Sequence, residues 1–132
     1  MKTLYVLIVA GLWMLPLPSP GGAAVRAGGS GVDLLADCRA ATAMFAGQPV
    51  TPEQTVSASL CTGFVSGMLD MHTIAIRVQD MTPLFCAPVT LDMHEAVRVV
   101  VRYLQAHPND LPRDGAALTI AALQDAFPCQ ER

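Results

Sequence analysis

Apolar residues recur along this chain at intervals of three and four, the period of a helix lying against a core. Four such runs follow one another. The first spans about Val32 to Ala46, with Leu34, Leu35, Cys38, Ala41 and Phe45 on one face; Gly47 and Pro49 mark its end. The second is the longest. Thr51 as cap, Pro52 at the first helical position and Gln54 three residues on form a capping-box start. Val56, Leu60, Phe64, Met68, Met71, Ile74 and Val78 then make an apolar stripe that ends near Gln79.

The third run begins with Thr90 as the expected cap, with Asp92 and Glu95 in the first turn near the positive end of the helix dipole. Met93, Val97, Val100, Val101 and Leu104 form its apolar face, Glu95, Arg98 and Arg102 its polar side, and Pro108 stops it. The fourth run starts near Arg113 or Asp114 and reaches Phe127. Its segment "AALTIAAL" is apolar nearly all round, as in a helix buried on most sides. No segment alternates with period two. The pattern predicts a small all-α bundle of about four helices in two hairpins.

Ahead of these runs the chain has a different character. Met1 and Lys2 precede the uncharged "LYVLIVAGLWMLPL", and "PSPGGAAVRAGG" follows. A charged start, an apolar centre and small residues at a cleavage point make a secretory signal, expected to end near residues 24–27. The apolar run is short for a membrane span and is broken by Pro16, Pro18 and Pro20. The expected organisation is therefore a signal over 1–27 and one helical domain over 28–132, exported to the periplasm. Without residues 1–27, six arginines stand against eleven carboxylates, a formal net charge of −5. That sign disfavours a nucleic acid or an anionic membrane as partner and leaves a protein partner as the expectation, with a homodimer open.

Export changes the reading of the four cysteines. Two disulfides become the default, with three connectivities available. Helix geometry chooses among them. Cys38 lies eight residues before the end of the first helix, and Cys61 nine residues after the start of the second. Both sit roughly 12–13 Å from the turn at the helical rise per residue, so they lie level in an antiparallel hairpin. Cys86 just precedes the third helix and Cys129 just follows the fourth, at neighbouring ends of the second hairpin. The expected bridges are 38–61 and 86–129, enclosing loops of 23 and 43 residues. By chain entropy each contributes about 3–4 kcal/mol.

Candidate chemistry is sparse. His72, His94 and His107 have no second histidine at helical spacing, and there is no Cys-x-x-Cys pair, so no metal or cofactor is expected. Ser57, Ser59 and Ser66 have no histidine–acid pattern beside them. Nothing assembles a nucleophile with a base and an orienting group, which argues against an enzyme. Gly63 and Gly67 lie four apart on the second helix, and close packing of another helix is the expected reason. Met68, Met71 and Met93 read as core filler, while Met81, in a loop, suits an adaptable binding surface. Two proline-restrained loops are candidates for partner binding. One is "QDMTPLFCAPVT" at 79–90; the other is "HPNDLPRD" at 107–114, with Asn109, Asp110 and Arg113 as contact residues.

The segments "LLADC", "CTGFVSGMLD", "FCAP", "VVVRYLQAHP" and "ALTIAALQDAFPC", spread over residues 34–129, resemble the Rap/Tai family of periplasmic immunity proteins. The combination of Cys-x-Gly-aromatic-x-x-Gly, Phe-Cys-x-Pro and a terminal Phe-Pro-Cys is what makes the resemblance specific. It implies a small exported helical domain with paired cysteines. It also implies a role as partner and inhibitor of a peptidoglycan amidase effector of type VI secretion, blocked at its active site. A general periplasmic stress or chaperone-like protein and an envelope-structural protein are the competing expectations; a secreted amidase encoded beside this chain would separate them.

Overall fold

The computed structural model describes residues 28–130; the expected signal, 1–27, lies outside them. Four α-helices run in order: α1 Gly31–Phe45, α2 Pro52–Gln79, α3 Met93–Ala106 and α4 Gly115–Ala126, with a 3-10 turn Pro108–Asp110 before α4. There is no sheet among the described residues; Ser30 and Asp114 make one isolated bridge. The architecture is the expected pair of hairpins, α1 with α2 and α3 with α4, and α1 is the central helix, packed against the other three.

Each helix starts on a side-chain cap that satisfies a free amide of its first turn. In α1 Ser30 and Asp33 form a reciprocal box, the Ser30 amide donating to Asp33 Oδ2 at 3.0 Å. The Ser30 hydroxyl, followed by its backbone amide, holds the Asp33 carboxyl below its usual range. The expected box at α2 is present: the Thr51 amide donates to Gln54 Oε1 at 2.8 Å, and the Gln54 amide to Thr51 Oγ1 at 3.2 Å. Asp114 caps α4 by accepting from the amides of Ala116 and Ala117. At α3 the cap is Asp92 and not Thr90. The aspartate carboxylate reaches the Glu95 amide at 2.8 Å, and residues 89–92 turn before the helix instead of joining it.

The core is built from short side chains. Leu34, Cys38 and Ala41 of α1 meet Ala58, Cys61 and Val65 of α2, Val97, Val100 and Leu104 of α3, and Leu118 and Leu123 of α4. Thr119 is the one buried polar side chain among the described residues, and its hydroxyl donates to the Gly115 carbonyl at 2.8 Å. Gly115 itself has no room for a Cβ, because the Gly28 carbonyl lies against it where the entering chain crosses the start of α4. Both expected disulfides are present, with sequence separations of 23 and 43. Cys38–Cys61 is sealed in the core, whereas Cys86–Cys129 ties the ends of the second hairpin at the surface.

Two expectations about α2 are corrected. Its inner face is the arc through Ala58, Cys61 and Val65, not the stripe of larger apolar residues. Gly63 and Gly67 pack against nothing: both are exposed, and a Cβ at either would meet open space. The physical reason is the Cys38–Cys61 bridge, which fixes the azimuth of α2. At 100° per residue the arc carrying Cys61 faces α1, so Val56, Gly63, Gly67, Ile74 and Val78 must turn away from it.

Candidate interaction surface

The three histidines are dispersed, each stacked on an aromatic ring. His94 lies on Phe45, His72 on Phe85 and His107 on Tyr103, with ring centroids 4.0, 3.8 and 4.1 Å apart. Among the described residues no three of His, Cys, Asp or Glu are grouped as a metal site would need. Both cysteine pairs are oxidised, so no thiol is free. What the structure offers to a ligand is surface, in two places.

The first is the tip of the α3–α4 hairpin, at the end away from the Cys86–Cys129 bridge. Its backbone is fastened to the start of α1. The Gly31 amide donates to the Arg113 carbonyl at 2.9 Å, the Val32 amide to the Leu111 carbonyl at 3.2 Å, and the Gly115 amide to the Gly29 carbonyl at 2.9 Å. Asn109 and Arg113 are exposed and Asp110 is half-buried. Asp110 and Arg113 engage each other, Arg113 Nη1 to Asp110 Oδ1 at 3.4 Å. The tip is thus a rigid knuckle presenting one amide and one ion pair.

The second place is apolar. The segment after α2 reverses at Asp80, which adopts a left-handed conformation (φ 53°), and folds back along the helix. Phe85 anchors it, 3% exposed, under the His72 ring. His72 Nε2 accepts the Leu84 amide at 3.1 Å, Gln124 Nε2 donates to the Leu84 carbonyl at 3.2 Å, and the Cys86 amide donates to the Phe127 carbonyl at 2.8 Å. An imidazole accepting at Nε2 carries its proton on Nδ1, and burial pushes its pKa down. Between the returning segment and α2 lies an open groove of about 300 Å³. Met68, Met71, Ala75, Met81, Leu84 and, from α4, Ile120 line it. Met81 and Leu84 are each half-exposed, so Met81 sits where a loop methionine on a binding surface should sit.

The groove opens onto the outward face of α2. Val56, Leu60, Met71, Ile74 and Val78 are between 42% and 77% exposed, and Val89 on the returning segment is fully so. Sequence reasoning found Met81 but missed Met71, Ile74, Val78 and Leu84 as surface residues. The signal was present: Cys61 does not lie on the stripe that starts at Val56, and a bridged cysteine marks the inner face.

The charged side chains of α3 form a separate solvated strip. Arg98 and Arg102 both pair with Glu95, and Arg102, ahead of Arg98, holds the Glu95 carboxyl below its usual range.

Comparison with known proteins decides what this frame belongs to. The family model of the Rap1a immunity proteins matches residues 30–129, which takes in all four helices and both disulfides. The chain belongs to the Rap1a immunity protein family. No curated protein and no solved structure matches it. Membership gives this immunity-type chain a protein effector as its partner. No helix among the described residues is long and apolar enough to cross a membrane. The two bridges are compatible with export to an oxidising compartment.

Proposed function

We propose that this protein resides in the periplasm and neutralises a cognate peptidoglycan amidase effector of type VI secretion by occluding the amidase's active site. The observation that carries the proposal is the family match over residues 30–129. The site we assign to the occluding contact is the α3–α4 tip with Asn109, Asp110 and Arg113. A blocker must place polar groups in a cleft, and a loop already held by three backbone hydrogen bonds to the neighbouring segment loses little entropy on doing so. The Asn109 amide offers two donors and an acceptor. The Asp110 carboxylate and Arg113 guanidinium can exchange their mutual pair for a histidine or a backbone amide.

The test is survival. An amidase encoded beside this chain is directed to the periplasm of a host with and without co-expression of the chain. Lysis without it and growth with it are expected. Replacing Asn109, Asp110 and Arg113 together by alanine should abolish protection while leaving the melting curve unchanged. Undiminished protection by that variant would remove the tip from the interface and turn attention to Met81 and the 79–90 segment.

A further inference from the structure

The segment that folds back along α2 has a second side. His72, Ile76 and Phe85 form a wall shared by two cavities. On one side is the apolar groove; on the other is a larger cleft of about 570 Å³, at the Cys86–Cys129 end of the molecule. Leu69, Thr73 and Arg77 of α2 line the cleft from one side, and Pro83, Ala87 and Val89 from the other. Its volume lies in the range of ordinary ligand sites, about 300–1,000 Å³. Its charge sets it apart from the rest of the surface. The chain without residues 1–27 carries a net −5, yet no aspartate or glutamate lines the cleft, and its one charged group is Arg77. Arg98 and Arg102 pair with Glu95, Arg113 pairs with Asp110, and Arg39 shares a surface groove with Glu53. Arg77 is exposed and has no carboxylate partner among the described residues.

We propose that this cleft captures the C-terminal tail of a polypeptide, a few apolar residues ending in a free carboxylate. The Arg77 guanidinium takes the carboxylate, its fork of N–H donors matching the two oxygens. Leu69, Ile76, Phe85 and Val89 supply apolar walls for the tail's side chains. Main-chain groups complete the site. Along the returning segment the Leu84 amide and carbonyl and the Cys86 amide are taken, by His72, Gln124 and Phe127. The amide and carbonyl of Ala87 have no partner among the described residues, so Ala87 offers a tail one donor and one acceptor. A peptide backbone can use both, as in other modes of extended-peptide recognition, whereas a fatty acid has nothing to pair with them. That difference is why a peptide tail is the assigned occupant. The wall is already held by the bonds at Leu84 and Cys86 and by the Cys86–Cys129 bridge, so it loses little freedom on binding. The cleft shares no residue with the α3–α4 tip, so this site stands or falls apart from the assignment of the effector contact.

The experiment is fluorescence anisotropy on the chain purified from the periplasm of an expression host. The probes are pentapeptides labelled with fluorescein at the N-terminus and ending in alanine, valine, leucine or phenylalanine, each made as the free acid and as the C-terminal amide. Saturable binding of at least one free acid at micromolar concentration is expected, weakened at least tenfold by amidation. Arg77→Gln should weaken binding of the acid at least tenfold, leave that of the amide where it was and leave the circular-dichroism melting curve unchanged; Arg77→Lys should restore part of the loss. Hydrogen exchange at the Ala87 amide should slow when the peptide binds. No free acid bound below millimolar concentration, acid and amide bound alike, or binding indifferent to Arg77→Gln overturns the proposal. Laurate bound with the same dependence on Arg77 while no peptide binds assigns the cleft to an acyl chain and overturns its assignment to a tail.

Discussion

The two faces of α2 are both apolar and do opposite things. The inner face is made of small residues, Ala58, Cys61 and Val65, all buried, and a covalent bond holds it to α1. The outer face carries the larger residues, Val56, Leu60, Met71, Ile74 and Val78, and all of them are exposed. A core-facing helix would ordinarily reverse that distribution, with bulk inward. Here close approach of α1 and α2 is set by alanine and a half-cystine, and the bulk is left on the surface. Hydrophobicity alone does not tell a buried face from an exposed one; side-chain size and the position of the disulfide do.

Mutations can break this comparison. The largest effect is expected on the inner face. Replacing Cys38 and Cys61 together by alanine removes a 23-residue cross-link and should cost about 3–4 kcal/mol of stability by chain entropy, read as a shift of the denaturation midpoint. Leu104→Ala, 1% exposed where α3 meets the core, should cost about 2–5 kcal/mol in the same assay.

A smaller and opposite effect is expected outside. Gly67→Ala, in an exposed helix interior with open space at the Cβ, should raise stability by up to about 1 kcal/mol, read as a shift of the denaturation midpoint. Ile74→Asp by itself should fall within about 0.5 kcal/mol of the parent, because Ile74 lies on the exposed face of α2.

The smallest effect sharpens the link between α2 and the segment that folds back along it. His72 must be neutral at Nε2 to accept the Leu84 amide, and burial holds its folded pKa below the ordinary 6.5. The unfolded chain takes up that proton first, near 6.5. The contribution to stability is therefore whole above that value and is lost as pH falls through the lower folded value. The protection of the Leu84 amide, the intrinsic exchange rate at each pH relative to the observed one, should fall on acidification from neutral pH. His72→Phe, which keeps the stack on Phe85 but not the acceptor, should make that exchange fast at every pH, apart from the intrinsic rate.

How much of this was legible follows the same physics. Helix number, the Thr51–Gln54 box and both disulfides came from local periodicity and from the rise per residue, which tertiary context did not disturb. The Asp92 cap was not legible because Thr90, Asp92 and the turn between them are all compatible with a helix start, and only the backbone path chooses. The α2 surface was misassigned because an apolar stripe was read as a buried one. Its azimuth depended on a long-range bond, although Cys61 had already been paired with Cys38. The tip at 107–114 was legible as a constrained loop from its two prolines, but its fastening to Gly31 and Val32 was not, since backbone bonds between distant segments leave no mark in residue type.

The central claim is that this immunity-type chain silences its effector by covering the catalytic cleft, and one titration tests it. The purified chain is added to the amidase encoded beside it while hydrolysis of a soluble peptidoglycan fragment is followed. The account predicts loss of hydrolysis in proportion to added chain, complete at one copy per amidase and relieved by raising the fragment concentration when the chain is limiting in affinity. An amidase that forms the complex and still cleaves the fragment at its full rate, or that forms no complex at all, would contradict it.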